Sequence, residues 1–146
     1  MIARLVLLFG MVLSGIAPHG QDARSESDRI LGEWTTAEGK AKVLITRCDS
    51  LYCGKIVWLK DPLKNGSPVV DSKNTDPKLR DVPVLGMTIL RGFQYDGDGE
   101  YDGGKVYDPE SGDTYSGKLQ LVDARTLELR GYVLIPLFGR TEAWTR

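Results

Sequence analysis

Few residues in this sequence are of the types that carry out nucleophilic or acid–base chemistry. The only histidine is His19, at the end of an N-terminal leader, so the rest of the chain has no imidazole for a catalytic triad or a metal site. The two cysteines, Cys48 and Cys53, follow a leader typical of exported proteins, and an oxidising compartment favours a disulfide between them. Two reduced cysteines without a role are the alternative.

Carboxylates could still do acid–base work, as in hydrolases that place two acids across the scissile bond. The candidates are Glu33, Asp108, Glu110 and Glu142. The sequence spacing brings no two of them together, and exposed charges on strands account for them equally well. We expect a protein that is not an enzyme and assign no catalytic residue. A carboxylate-based hydrolase is kept as an alternative.

An acidic run at residues 96–102 has the alternating carboxylates of a calcium-binding loop. However, Tyr101 stands where an EF-hand needs glycine, and Tyr107 stands where it needs the closing glutamate. Asp-Gly pairs, of which this run contains two, are strongly favoured in hairpin turns. We therefore predict a turn here, and we expect no metal site and no cofactor.

The N-terminus has the three parts of an export signal. A single basic residue, Arg4, precedes the apolar residues 5–13, and small residues lead to Ala17. The apolar run is too short to cross a bilayer, which takes about 20 residues. We predict a signal peptide at residues 1–17, with Ala23 as a second cleavage position, and a periplasmic or secreted protein. A flexible lead-in at 18–29 and a single domain at 30–146 would follow.

Residues 30–146 alternate apolar and polar side chains with a period of two, which is the pattern of half-buried strands. We predict eight strands without a long helix, at residues 30–36, 41–46, 52–59, 84–95, 103–107, 114–122, 126–135 and 137–145. Consecutive strands joined by short turns pair antiparallel, and they must close or pair to hide their edges.

The expected fold is therefore all-β, an eight-stranded up-and-down antiparallel barrel whose interior is either filled or able to hold one small ligand. Charged residues on the polar strand faces argue against an outer-membrane barrel, so we do not expect an integral membrane protein. The formal net charge of −1 gives no electrostatic footprint for nucleic acid.

Two segments interrupt this pattern. Residues 48–53 form a tight reversal between two strands, so a disulfide between Cys48 and Cys53 would staple the hairpin. Residues 61–83 contain four prolines and lack strand character. A loop of that length is either a lid or binding loop, or a surface crossover, and we leave both open. A single helical turn is expected near residues 76–81.

The candidates for a ligand site in such a barrel are aromatic and charged. Gly32 and Trp34 share one face of the first strand, where the tryptophan can plug one end. Tyr107 and Asp108 begin a segment that favours a turn, with a ligand contact at the mouth as the alternative. Core packing likewise competes with ligand contact for the rings. Our candidates for the cavity or its mouth are Trp34, Trp58, Tyr107, Asp108, Tyr115, Phe138, Arg140 and Trp144.

A series of motifs, in order, resembles those of a family of small exported bacterial proteins. They are Gly32-Glu-Trp34, Cys53-Gly-Lys-Ile-Val-Trp58, Asp71…Asn74-Thr-Asp-Pro77, Leu85-Gly86, Gly104-Lys-Val-Tyr-Asp-Pro-Glu-Ser-Gly112 with Tyr115, Arg130-Gly-Tyr132, Phe138-Gly-Arg-Thr and Trp144-Thr-Arg146. On these motifs, residues 31–146 resemble domain-of-unknown-function family 2147. The resemblance implies a lipocalin-like fold, in which a late arginine stacks on the first-strand tryptophan. Here that arginine would be Arg140 or Arg146.

Taken together, the sequence predicts an exported protein that binds a small, largely apolar molecule. This prediction rests on the barrel size, the inward aromatic residues and the missing catalytic groups. The main alternative is an interaction module with a solidly packed barrel, in which residues 61–83 meet a protein or envelope partner.

Overall fold

The structure is a computed structural model that describes residues 25–146. The signal peptide and residues 18–24 of the flexible lead-in lie outside the described residues and stay predictions. The end of the lead-in differs from the expectation, because Glu26–Ile30 forms a 3-10 helix. This helix is held by the barrel: the Tyr101 hydroxyl donates to the carbonyl of Ser27 at 2.7 Å, and Arg47 donates to the Asp28 carboxylate at 2.7 Å.

Within the described residues the chain forms ten strands and no α-helix. The strands are β1 (Gly32–Thr35), β2 (Ala41–Cys48), β3 (Leu51–Leu59), β4 (Leu63–Lys64), β5 (Ser67–Pro68), β6 (Thr88–Gly97), β7 (Glu100–Asp108), β8 (Asp113–Asp123), β9 (Thr126–Tyr132) and β10 (Gly139–Thr145). Eight of them close into a barrel in the order β1-β10-β9-β8-β7-β6-β3-β2, and β4 and β5 pair outside it. All barrel pairs are antiparallel. The all-β, eight-stranded antiparallel barrel is confirmed.

Alternation along the strands separates the barrel interior from the solvent face. In β2, Ala41, Val43 and Ile45 are buried while Lys42 and Thr46 are exposed. In β8, Gly117, Leu119 and Leu121 point inward in the same way. Side chains two residues apart lie on one face of a strand, so this pattern places one apolar face of every strand inside. The core is thus the barrel interior.

Four strands are shorter than the sequence predicts. The strand expected at 30–36 spans only Gly32–Thr35, and the one expected at 137–145 begins at Gly139. The strand expected at 84–95 begins only at Thr88, because residues 84–87 form a turn in which Met87 N donates to the carbonyl of Val84 at 3.1 Å. The strand expected at 126–135 ends at Tyr132. Beyond it Leu134 has a φ of 67°, a left-handed conformation that is uncommon for residues other than glycine and does not continue a regular strand.

The hairpin between β2 and β3 is closed by a disulfide, as predicted. Cys48 and Cys53 are bonded, with their Cα atoms 5.9 Å apart. They flank the turn at Asp49, whose φ is 57°. The bridge therefore lies at the tip of a hairpin whose two strands pair from Ala41 with Leu59 to Cys48 with Leu51.

The segment between β3 and β6 spans residues 60–87, and we call it the long loop. It contains the β4–β5 hairpin and the predicted helical turn, a 3-10 helix at Pro77–Leu79. The Asp76 side chain caps this turn by accepting from Lys78 N at 3.0 Å. A bridge between Val70 and Pro83 brings the loop back on itself. The long loop is thus folded against the barrel.

Candidate functional site

The two ends of the barrel differ, and the first is sealed by Trp34. This side chain is fully buried, and its Nε1 donates to the carbonyl of Ile30 at 2.8 Å. The guanidinium carbon of Arg146 lies 4.0 Å from the centroid of the indole ring. Arg146, and not Arg140, is therefore the arginine that stacks on the tryptophan.

Arg146 also joins the first and last segments of the chain at this closed end. Its guanidinium donates to the carbonyl oxygens of Leu31, Arg29 and Ala124 at 2.9, 2.9 and 2.8 Å. Because guanidinium groups present several donors in a fixed plane, one side chain can satisfy all three carbonyls. The closed end is thus a structural seal and leaves no opening beside the Trp34 ring.

A layer of side chains centred on Phe93 fills the middle of the barrel. The Phe93 ring is fully buried, and glycines on the neighbouring strands make room for it. A Cβ atom at Gly104 would collide with the ring, and one at Gly117 would lie 2.7 Å from it. At Gly54, a Cβ atom would meet Leu90 at 2.8 Å. No side chain larger than hydrogen fits at these three positions, so the barrel is solidly packed from Trp34 to Phe93.

The other end of the barrel is open. A cavity of about 1950 Å³ begins above the Phe93 layer and widens toward solvent between the loops. Its deepest lining consists of buried apolar side chains, which form a floor: Ile56, Ile89, Val106, Leu129 and Trp144. The interior is therefore half filled and half open, with the apolar floor facing the opening.

The rim of the cavity carries paired charges. Lys40 Nζ lies 2.9 Å from a carboxylate oxygen of Glu38 and 3.5 Å from one of Glu110. The hydrogen bond from Lys40 lowers the pKa of Glu38 below its usual value, and the charges of Lys40 and of Arg140 act in the same direction. Lys40 thus links the β1–β2 turn to the β7–β8 turn on one side of the mouth. These ion pairs are exposed and contribute little to stability.

The long loop is anchored beside the mouth by a buried carboxylate. Asp71 is 1% exposed, and the Tyr107 hydroxyl lies 2.7 and 2.8 Å from its two oxygens. Asn74 Nδ2 donates to the same carboxylate at 2.7 Å. Burial raises the pKa of Tyr107 to about 12, and the hydrogen bond to Asp71 adds to the shift. The backbone of the long loop also packs closely on the β7–β8 turn. The carbonyl of Lys73 lies so near Gly112 that a Cβ atom at position 112 would collide with it.

Comparison with known proteins places this barrel in a family. The family described as "Uncharacterized protein conserved in bacteria (DUF2147)" matches residues 32–146. The chain belongs to the DUF2147 family. No curated protein matches the sequence.

A solved structure shares the fold of this DUF2147 chain. It is protein HP1028 from the human pathogen Helicobacter pylori, which belongs to the lipocalin family. The two structures superpose with a TM-score of 0.70 at 24% sequence identity, over 80% of this chain and 81% of HP1028. The barrel is therefore lipocalin-like in fold.

Six of the eight candidate residues line the cavity of this DUF2147 protein. Trp144 belongs to the floor, and the others stand higher on the wall or at the rim: Tyr107, Asp108, Tyr115, Phe138 and Arg140. Tyr107 is engaged with Asp71, and Asp108 caps its own turn by accepting from Glu110 N at 2.9 Å. The turn interpretation of this segment is confirmed. Ligand contact by any of the six stays a prediction.

Trp34 and Trp58 do not line the cavity. Trp34 lies at the closed end under Arg146. Trp58 is 42% exposed, and its ring lies on the outer surface with Lys42 Nζ 5.7 Å from the ring centroid. The β2–β3 register shifts between Lys42 and Val43, so the inward alternation that buries Ile56 is not continued at Trp58. Period-two reasoning could not detect this irregularity.

The sequence reasoning missed two features. One is the anchor at Asp71, and the other is Gly131, which leaves the cavity wall without a side chain between Tyr115 and Arg140. Asp71 was part of a recognised motif, but no local signal connects it to Tyr107, which lies 36 residues away. Gly131 is the inward residue of β9 at the level of Arg140, with which it pairs. Its position in the alternating series with Leu127 and Leu129 was visible in the sequence and could have indicated space in the wall.

The four candidate carboxylates do not form a pair. Glu33 points outward from β1, and Glu110 is bound to Lys40. Glu142 faces the cavity, where Trp144 Nε1 donates to it at 3.5 Å. The Asp108 carboxylate accepts from a backbone N–H of its own turn. Within the described residues, no hydrogen bond connects any two of these four side chains. The carboxylate-based hydrolase therefore stays an alternative, since its two carboxyl groups would stand about 5–9.5 Å apart without a direct hydrogen bond.

Residues 25–146 present neither a cluster of metal ligands nor a membrane-spanning helix. No cluster of three or more histidine, cysteine, aspartate or glutamate side chains there is arranged to hold a metal ion. In the same residues, no helix has the length and apolar character to cross a membrane.

Proposed function

We propose that this DUF2147 protein binds a small, largely apolar molecule in the open half of its barrel. The half-filled interior carries the proposal. Packing stops at the Phe93 layer, and the space above it has an apolar floor that faces the mouth. Ligand sites in proteins are concave, mostly apolar and provided with a few placed polar groups. The open half of this barrel has all three properties.

The size of the cavity supports a ligand that is only partly enclosed. Ligand pockets commonly measure about 300–1,000 Å³, whereas this cavity reaches about 1950 Å³. Residues of the long loop and of the β9–β10 loop line this cavity together with the barrel wall, so its volume includes the space at the mouth. A ligand that covers the floor would therefore leave part of itself, or a polar group, near the rim.

Polar groups on one wall could orient such a ligand. Tyr115 on β8 and Arg140 on β10 both line the cavity, and Gly131 on the intervening strand carries no side chain between them. A Cβ atom at Gly131 would lie 3.7 Å from that of Tyr115, an ordinary van der Waals contact, so we call the gap left by Gly131 the slot. A hydroxyl and a guanidinium on either side of an open slot suit a ligand that carries an oxygen acceptor.

Export is part of the proposal. The disulfide of Cys48 and Cys53 fits an oxidising compartment, and the predicted signal peptide would deliver the protein there. Intact mass of the protein recovered from the periplasm or the medium tests this, since cleavage after Ala17 or Ala23 leaves distinct masses. Recovery of the uncleaved chain in the cytosol would contradict export.

A cavity-filling variant tests the binding site. Titration with a lipophilic fluorophore should give a saturable signal, and native mass spectrometry should show the bound mass. Gly131→Phe puts a ring into the slot and should weaken binding about tenfold or more. Glu128→Phe, on the outward face of the same strand, is the matched control and should bind normally. No saturable signal, or equal binding by both variants, would argue against the cavity.

The interaction module with a solidly packed barrel fits this structure less well. The packing is solid only from Trp34 to Phe93, and the rest of the interior is cavity. The long loop, moreover, is held by Asp71 and Tyr107 at the mouth of that cavity. Its anchoring is what a wall of a binding site requires.

A further inference from the structure

The loop between β9 and β10 exposes an unusual concentration of apolar side chains. Of the twelve large apolar residues exposed in the described chain, five lie in this loop: Val133, Leu134, Ile135, Leu137 and Phe138. Leu134 is 88% exposed and Leu137 is 76% exposed. No charged residue occurs between Gly131 and Gly139. We call residues 133–138 the apolar tip.

A second group of exposed apolar residues lies at the same end of the barrel. Four more of the twelve belong to the long loop: Leu63, Leu79, Val82 and Leu85. Nine of the twelve thus occur on the two loops that leave the open ends of β3 and β9. Exposed apolar patches mark interaction sites, and both groups lie on loops at the open end.

The backbone of the apolar tip is hydrogen-bonded within itself. Val133 N donates to the carbonyl of Phe138 at 3.2 Å, and Phe138 N donates to that of Ile135 at 3.0 Å. Ile135 N donates to the carbonyl of Val133 at 2.9 Å. Pro136 has no N–H to satisfy. More than half of the backbone N–H and C=O groups of this six-residue loop therefore have a hydrogen-bond partner inside the loop.

Arg130 completes this internal bonding from the base of the tip. Its Nε donates to the carbonyl of Pro136 at 2.6 Å, and a terminal nitrogen lies 3.5 Å from that of Leu137. In a hydrocarbon phase every backbone polar group needs a partner within the protein. A protein partner would not impose that demand so strictly, because it can offer hydrogen bonds of its own. The bonds that the tip makes therefore lower the cost of placing it against hydrocarbon.

From these observations we propose that the open end of the barrel docks on a lipid surface through the apolar tip. Arg130 lies at the base of the tip, where its positive charge favours anionic headgroups. The tip offers five large side chains on one turn, far fewer than the roughly 20–30 residues a side of a stable protein interface. Val133, Leu137 and Phe138 also line the cavity, so the docked face continues into the mouth. The docking does not depend on whether the cavity is occupied.

Vesicle flotation of the full chain tests the docking. Vesicles of phosphatidylcholine mixed with phosphatidylglycerol should bind the protein, and phosphatidylcholine alone should bind it more weakly. The double variant Leu134→Glu with Leu137→Glu should lower the affinity about tenfold or more. Val122→Glu changes an exposed apolar residue of β8 and is the matched control. Near-ultraviolet circular dichroism checks that each variant keeps the barrel.

A local probe separates the tip from every other segment, including the N-terminal one. In a Trp58→Phe background, Leu134→Trp adds an indole at the tip, and Val122→Trp adds one on β8. Lipids with brominated acyl chains should quench the added fluorescence at 134 and leave that at 122 unchanged.

Three outcomes would overturn the proposal. The first is vesicle binding that the double variant and Val122→Glu weaken equally, and the second is no quenching at 134. The third is a concentration-dependent dimer in analytical ultracentrifugation that the double variant abolishes, because the tip would then bind a second copy of the chain.

Discussion

At the scale of single residues, Arg146 closes one end of the barrel. It stacks on Trp34 and donates to the carbonyls of Arg29 and Leu31, at the beginning of the domain, and to that of Ala124 in the turn between β8 and β9. Lipocalin-like barrels need their first and last strands to meet, and here β1 and β10 pair in register only at Thr35 and Thr145. One side chain therefore reinforces the shortest strand contact of the barrel.

Replacing Arg146 should destabilise the barrel without touching the cavity. Arg146→Ala loses the stacking and the charge-assisted hydrogen bonds, and we expect the free energy of unfolding to fall by about 2 kcal/mol. Arg146→Lys keeps a cation but not the planar fork, so we expect an intermediate loss. Urea unfolding measures both. Arg91→Ala, on an exposed position of β6, is the control, and an equal loss there would remove the special role of Arg146.

Tyr107 makes the stability depend on alkaline pH. Burial and the hydrogen bond to Asp71 raise the pKa of Tyr107 in the folded protein to about 12, from the ordinary tyrosine value of 10.0, so the folded state holds the phenolic proton more tightly. Its contribution to stability is complete below pH 10 and is lost as the pH rises through about 12. Tyr107→Phe should therefore make the loss of stability above pH 10 less steep, measured by urea unfolding across this range.

The same variant should weaken the fold at neutral pH. Tyr107→Phe leaves the buried Asp71 without its phenolic donor, at a cost of about 1–3 kcal/mol. The control is Tyr132→Phe, which removes a hydroxyl that makes no side-chain hydrogen bond within residues 25–146. Equal stability of the two variants at pH 7 would show that the Asp71 anchor does not hold the long loop.

At the scale of elements, glycines on neighbouring strands decide where the barrel is filled. Gly104 on β7 and Gly117 on β8 are paired across the sheet. The Phe93 ring from β6 occupies the space that side chains at these two positions would fill. Gly131 on β9 is paired with Gly117, yet it faces open cavity. The boundary between the packed and the open half thus runs between two adjacent glycines.

Alanine substitutions should reveal this boundary. Gly117→Ala forces a methyl group against the Phe93 ring and should cost about 1–3 kcal/mol. Gly131→Ala meets only ordinary contacts, with Tyr115 Cβ 3.7 Å away, and should be nearly neutral. Adding Phe93→Leu should recover part of the loss in Gly117→Ala, which a double-mutant cycle in urea measures. A neutral Gly117→Ala would mean that the middle of the barrel is not tightly packed.

The disulfide stabilises a single hairpin. Cys48 and Cys53 enclose only four residues, so their bond removes little entropy from the unfolded chain. We expect Cys48→Ser with Cys53→Ser to lower the free energy of unfolding by about 2 kcal/mol, with the barrel signal in circular dichroism retained. Loss of the barrel in this variant would show that the bridge fixes more than the β2–β3 register.

At the scale of the whole molecule, the sequence predicts the features that depend on residues close together in the chain. Strand alternation, the hairpin of Cys48 and Cys53 and the barrel class follow from patterns within a few residues. Arg146, and not Arg140, covers Trp34 because the chain end returns to the first strand, which no local pattern shows. The outward turn of Trp58 follows from a register shift, and the contact of Asp71 with Tyr107 needs the folded loop.

The extent of the cavity was likewise beyond sequence reasoning. The filling of the interior depends on one ring, Phe93, meeting glycines that come from two other strands. Six candidate residues nevertheless came to lie around the open half, since inward alternation and position near strand ends were both readable. The function proposed here depends on that open half holding a ligand.

Fluorescence quenching at Trp144 tests this central claim most directly. Trp144 belongs to the cavity floor, whereas Trp34 is sealed at the opposite end and Trp58 can be replaced by phenylalanine. A brominated long-chain fatty acid should quench the Trp58→Phe protein saturably, and its unbrominated analogue should compete. The saturable component should disappear in Trp58→Phe with Trp144→Phe. Absence of saturable quenching, or its persistence without Trp144, would contradict a ligand site in the open half of the barrel.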